Sequence, residues 1–463
     1  MKLRSKGMSP GFELARLALL AAVFAASLLG QAGSNAAESF GEQVDVEVVN
    51  VDVVVTDRSG RRVVDLKQDD FELRVDGRST AIEYFSPPRG PGAQPSSAPL
   101  AAATIPDLPA PGTPATAATA PTSLVLYIDQ TALETRARHE TIEELREYFL
   151  ARPDGADRVT VAVFEQNLQI VLPSTSDRAL LMKALDTVES RPSLARLGSG
   201  ERMQLDHEIR QYGQDVARFG GGFAVAEAHR IEQAIEQWAE EQIDRQRRSV
   251  AALQQMIGAL AASEGRKAVL LATAGIQANP GQAVLAALDQ QRGVATSSDA
   301  NRAPTLAIQG LTLIQEFERM ILAAQNARIA FYTISPVVQP PGENSAEFGS
   351  AGPNAYRPLP RDTGGVEAAS SVARLAGATG GSTLTVGANL DRKLEAVAAD
   401  IDAAYSLGFT TDTSAGDKDH RIEVTTRRAG LEVRHRENFR RRTAGERANS
   451  ALAAAVTLGQ AEN

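Results

Sequence analysis

Three short apolar runs limit the fold of this chain more than any other feature. Residues 123–128 (SLVLYI), 268–272 (AVLLA) and 328–334 (RIAFYTI) lack the in-and-out alternation of a strand that is wet on one side. Such runs belong to strands covered on both faces, and a sheet covered on both faces is normally parallel, with helices above and below it. The intervening segments fit that plan. Residues 136–150 carry Ile142, Leu145 and Phe149 on one helical face, and residues 311–324, 368–376 and 390–403 are also helical. Asp177 stands where it caps a helix running through Leu181, Leu185 and Val188. Residues 159–164 and 168–172 are strands joined only by Glu165, Gln166 and Asn167, too short a link for a parallel crossover, so they are expected to pair as an antiparallel edge. Segments 405–411, 420–426 and 431–436 read as a closing antiparallel group.

Residues 191–248 exceed what a connection needs and are expected to be a helical insertion. From 224 to 262 there is almost no helix breaker, and Ile231, Ile235 and Trp238, then Val250, Leu253, Ile257 and Leu260, recur at helical spacing. The second half feeds the 268–272 strand. The first half, rich in Glu, Gln and Arg, is expected to project as an arm, either a solvated surface helix or a docking or oligomerisation element.

Ahead of the α/β region the chain changes character twice. Residues 39–86 alternate and turn like a small β-sandwich-like module of about five strands, with turns at Arg58-Ser59-Gly60 and Asp76-Gly77. From 86 to 121 the chain places 10 of its 22 prolines among Ala, Thr, Ser and Gly, so residues 87–121 are expected to be an extended linker. Residues 1–36 begin with Lys2, Arg4, Lys6 and Arg16, continue through an apolar run over 17–29, and end in small residues at Ser34-Asn35-Ala36. That is the layout of a cleaved signal peptide, and the run falls short of the roughly 20 apolar residues of a spanning helix. The mature chain is therefore expected to be exported, periplasmic or secreted, with no stable membrane span. The α/β domain is expected over 122–440 and a C-terminal tail over 441–463.

Composition removes several chemistries. With zero cysteines there are no disulfides, thiol nucleophiles or thiolate metal sites. With 48 basic against 57 acidic side chains, the chain lacks the cationic excess that generic nucleic-acid binding requires, and nucleic acid is not expected as a partner.

Five segments occur in a recognisable order: VDVVVTDRSGRRVVDLKQDDFELRVDGRSTAIEYFSP, SLVLYIDQT, EGRKAVLLATAGI, LAGATGGSTLTV and AAYSLGFTTD. Together they resemble the bacterial family of exported von Willebrand factor A-related (VWFA-related) proteins of the acidobacterial type, over about residues 44–440. The resemblance implies an α/β fold, a Rossmann-like A-type domain with a central, mostly parallel sheet, plus a small N-terminal β module. It also implies where to look for a site. A typical A domain holds a divalent cation at the carboxyl end of its first strand through an Asp-x-Ser-x-Ser loop, a Thr from a second loop and an Asp after a later strand, and leaves one coordination position for an acidic residue of a protein partner.

In this chain Asp129 follows the first strand and Thr131 matches the first hydroxyl. Leu133 stands at the second hydroxyl position, and Thr273-Ala274-Gly275 replaces the usual Thr-Asp-Gly. Ser249 is the only counterpart of the loop Thr, but it sits within a helical pattern. The resemblance thus implies a degenerate metal-ion-dependent adhesion site in which Asp129 and Thr131 hold Mg²⁺ or another divalent cation weakly, with Glu134 near enough to substitute as a ligand. The residues themselves leave open a second reading, in which Asp129 accepts backbone N–H groups and shapes the following loop.

Enzymatic constellations are not found. His139, His207, His229, His420 and His435 are scattered, no Gly-x-Ser-x-Gly elbow occurs, and Gly220-Gly221-Gly222 and Gly364-Gly365 do not open a phosphate loop. Asp69-Asp70 reads as a turn, and the basic stretch 434–442 as strand-end charge or a contact for an anionic partner. The expectation is a non-enzymatic, protein-binding chain using Asp129, Thr131, Thr273 and Gly275. The alternative is a structural or envelope assembly factor that binds partners through the helical arm and the β module without metal.

Overall fold

A computed structural model describes residues 47–88, 123–152, 158–219, 225–263, 265–292, 304–335, 364–385, 390–402, 404–411, 418–440 and 443–458. The expected signal segment, the linker beyond residue 88, and residues 441–442 and 459–463 of the expected tail lie outside the described residues.

The described residues begin with β1 (Glu47–Asp57), β2 (Phe71–Val75), β3 (Arg78–Thr80) and β4 (Tyr84–Ser86). An α/β series follows: β5 (Ser123–Asp129), α1 (Thr135–Ala151), β6 (Arg158–Phe164), β7 (Leu168–Thr175), α2 (Arg178–Ser190), α3 (Ala195–Phe219), α4 (Val225–Leu260), β8 (Lys267–Ala272), α5 (Gln282–Arg292), α6 (Pro304–Asn326), β9 (Ile329–Ser335), α7 (Gly364–Ala378), β10 (Thr383–Thr385) and α8 (Leu390–Asp402). It closes with β11 (Tyr405–Thr411), β12 (His420–Thr426), β13 (Leu431–Arg434), β14 (Asn438–Phe439) and α9 (Ala444–Leu458).

The doubly covered strands form one six-stranded sheet in the order β10-β9-β8-β5-β6-β7. Every pairing in it is parallel except β6 with β7, the antiparallel edge that the three-residue link required. Strand parity sorts the side chains into two layers. Leu124, Leu126 and Ile128 join Ile142 and Leu145 of α1, Leu185 of α2 and Leu394 of α8 in one core. Val125 and Tyr127 join Val250, Leu253 and Ile257 of α4, Leu313 and Met320 of α6 and Leu375 of α7 in the other. Asp177 caps α2 as expected, accepting from the N–H groups of Ala179 and Leu180.

The segment 39–86 is not a module of its own. Its described strands number four rather than five, and they share both of their sheets with the end of the chain: β13-β1-β11-β4 in one and β14-β12-β2-β3 in the other. Val51 lies opposite Leu407 and Leu73 opposite Val424. The reason is burial: the inward residues Val51, Val53, Val55, Phe71 and Leu73 find their cover in Tyr405, Leu407, Phe409, Ile422 and Val424, which four short strands alone do not supply. So residues 405–439 complete this sandwich instead of extending the parallel sheet. Two charge clusters join it to the α/β layers. Asp400 of α8, almost fully buried, accepts from Arg62 and Arg434, and Asp52 of β1 pairs with Arg266 and Arg328 at 3.3 and 3.0 Å.

Two more expectations change. α4 is one continuous helix whose second half lies in the main core, as expected of the part that feeds β8. Its first half is no bare solvated helix: Leu205, Ile209 and Tyr212 of α3, Ile231 and Ile235 of α4 and Val284 and Leu288 of α5 make a separate core. The expected tail contains α9, which Thr443 and Glu446 start through a capping box: the Glu446 carboxylate accepts from the Thr443 N–H (2.8 Å) and the Thr443 hydroxyl from the Glu446 N–H (3.1 Å). Leu458 of α9 is buried in the α4 core.

Candidate functional site

The strand order reverses between β5 and β8, so the loops leaving their carboxyl ends diverge and open a crevice there. A cleft of about 290 Å³ occupies this place. Asp129, Thr131, Thr273 and Gly275 all line it, so the four residues expected at the site are brought together.

The loop after β5 is held from below. Gln130, fully buried, receives a 2.6 Å bond from Arg138, whose guanidinium also donates to the Arg191 carbonyl (2.7 Å) at the end of α2. Above it, Asp129 Oδ1 accepts from the N–H (2.9 Å) and hydroxyl (2.6 Å) of Thr131, and Oδ2 accepts from the hydroxyls of Ser249 (3.3 Å) and Thr273 (3.4 Å). Asp129 is 3% exposed. Burial pushes its carboxyl above the ordinary carboxylate range, and the donors from Thr131, Ser249 and Thr273 hold that rise back. Among the described residues no cation pairs with it.

Ser249 reaches Asp129 from the helix itself, so its helical setting is no objection. It directly precedes Val250 on the face of α4 that shares a core with Val125 and Tyr127, and Asp129 has the same strand parity as those two residues. That parity was the signal. Gly275 has a different task from contact with a partner. Its φ is +99°, and a Cβ there would lie 2.1 Å from the Ala368 carbonyl oxygen, so glycine is what lets the β8 loop press onto α7. The same loop is tied down by bonds from Ile276 N–H to Ser371 (2.8 Å) and from Gln277 N–H to Gln246 (2.6 Å).

The donor set is a poor match for a resident divalent cation. Leu133 is fully buried in the α1-side core and does not line the cleft, and Ala274 lines the cleft without a carboxylate. Glu134 is exposed at the N-cap of α1 and does not line the cleft. One desolvated carboxylate and three hydroxyls that already donate to it remain, and Arg202 and Arg245 share the cleft wall. Divalent cations with oxygen ligands are retained by more carboxylate charge than this. Among the described residues a second cluster with ligand-like spacing, His139, Glu143 and Glu189, is already served by Arg146, which pairs with both glutamates. His435 is not a surface residue: its Nε2 accepts from the Val424 N–H (3.2 Å), and burial lowers its pKa.

No family model and no curated protein matches the chain. Solved structures that align with it include an aerotolerance-related membrane protein from Bacteroides fragilis, 11% identical over 60% of this chain and 98% of that one, with a TM-score of 0.25. BatB from Bacteroides thetaiotaomicron aligns at 11% identity over 60% and 98% with a TM-score of 0.25, and the human COPII-coat protein Sec24c at 11% over 70% and 44% with a TM-score of 0.29. TM-scores this low leave the fold to rest on the chain's own strand order, which is that of a mixed α/β protein with a parallel-rich, Rossmann-like sheet. No described helix is long and apolar enough to cross a membrane.

Proposed function

We propose that the chain is an exported, non-enzymatic protein of the VWFA-related kind that binds a protein partner in the cleft above β5 and β8, without a resident metal. The observation that carries this reading is Asp129: a buried carboxylate with no cation partner costs stability, and such groups concentrate at functional sites. The described residues lining the cleft include no His, Cys or Lys and no second carboxylate, a set that supports binding over acid–base hydrolysis. Arg245 lines the cleft too, and among the described residues no carboxylate pairs with it. It supplies the positive charge that a cation would give an A domain, and so favours an acidic side chain on the partner.

A second reading, assembly through the helical arm, is favoured by Phe219 and Val225, 65% and 73% exposed where α3 ends and α4 begins. Affinity capture from the native envelope separates the two. A partner bound by wild type should be lost with Arg245→Glu, kept with Phe219→Asp, and indifferent to chelator. Loss with Phe219→Asp alone would transfer the function to the arm, and release by chelator would restore a metal-dependent site.

A further inference from the structure

At the opposite edge of the sheet, where β8 and β9 begin, lies a larger cavity of about 730 Å³. It is enclosed by the start of β1, the end of α4, the turn from α6 into β9, and α9. Lys267, Arg328, Arg436, Arg440 and Arg447 all line it, and no Asp or Glu does so among the described residues. This in a chain with net charge −9 is a concentration of one sign that general composition does not explain.

Two carboxylates beside this group are already engaged. Asp52 is shared between Arg266 and Arg328, and Glu446 serves Arg440. Arg436 is 8% exposed, and its Nη1 and Nη2 groups donate to backbone carbonyls, at Gln325 (2.8 Å) and Asn50 (2.9 Å). Its Nε, like the Nε atoms of Arg328 and Arg440, is buried with no hydrogen-bond partner. Burial and the neighbouring Arg328 pull Arg436 down to about 9, which is the mark of a guanidinium short of negative charge. Leaving buried N–H groups unsatisfied is costly, and planar guanidinium forks match carboxylate and phosphate oxygens. The volume lies in the range of roughly 300 to 1,000 Å³ typical of small-molecule sites, larger than a single inorganic ion needs.

We infer that this cavity is a binding site for a small, multiply charged oxyanion, a phosphorylated or polycarboxylate metabolite, held by Arg436, Arg440, Arg447, Arg328 and Lys267. It is separate from the cleft at the other edge of the sheet and does not depend on the protein-binding reading. The full chain can be titrated by calorimetry and thermal melting with pyrophosphate and with citrate, each matched for ionic strength with chloride. One or both should raise Tm in a saturable way, as mass action requires for a ligand of the folded state. A preference for pyrophosphate identifies the ligand as phosphoryl, and a preference for citrate as carboxylate. The exposed Arg447→Glu and the half-buried Arg440→Gln should each weaken binding at least tenfold, and they serve if Arg436→Gln fails to fold. Tm values no higher than in matched chloride, or saturable binding that both variants retain unchanged, would overturn the assignment.

Discussion

At the residue scale the chain keeps one carboxylate in an environment that disfavours its charge. Because burial raises the Asp129 pKa above its unfolded value, the folded state holds the extra proton over the window above pH 3.8, and stability falls as pH rises through it. Asparagine has no proton to lose, keeps an acceptor for Thr131, and offers N–H groups to the Ser249 and Thr273 hydroxyls. Asp129→Asn should therefore melt close to wild type near pH 4 and above it at pH 7, in melts run at fixed ionic strength. A variant that is less stable than wild type at pH 7 would show that the carboxylate is structural. Asp129, Thr131 and Thr273 were legible through the resemblance to A-type domains, whose site lies at the carboxyl ends of the strands. Leu133 was legible only as a missing oxygen; that it fills the core beside Ile142 and Leu145 depends on how the loop turns.

At the element scale the helical arm shows why composition misleads. Its many charged residues suggested a solvated helix, yet Leu205, Ile209 and Tyr212 recur at i, i+4 and i+7 and face Ile231 and Ile235. Ile231→Ala should cost about 2–5 kcal/mol locally, since it empties a fully buried site. Hydrogen exchange should quicken in α3 and the first half of α4 while β5 and β8 keep their protection. Equal loss of protection throughout would mean that the arm and the main core unfold as one unit. The T-x-x-E box that begins α9 was likewise present in the sequence, as Thr443 and Glu446, and marks a helix that a reading by apolar runs alone passes over.

At the scale of the whole molecule, the first and last groups of described strands fold together. Since β1 pairs with β11 through its first half and with β13 through its second, cutting the chain need not part it. With an engineered protease site between residues 88 and 123, the two cleaved pieces should co-elute on a native sizing column and separate only in denaturant. Residues 123–463 expressed alone should aggregate, because β11, β12 and β13 would lose the strands that cover their edges. Separation of the pieces under native conditions would mean that the sandwich contributes little to holding them.

The sequence by itself determined what each segment must bury. Continuous apolar runs required a doubly covered sheet, alternation required half-wet strands, and a three-residue link required an antiparallel edge. These are local consequences of backbone periodicity, present in any window of about ten residues. Only the tertiary structure decided which faces meet. Val51 finds Leu407, Ser249 finds Asp129, and Arg436 comes to lie beside Arg328 and Lys267, because the entropy of closing a loop grows slowly with its length and so ranks distant partners only weakly. Among partners equally apolar and equally reachable, the choice falls to shape and burial across the assembled fold, which no single stretch of sequence contains.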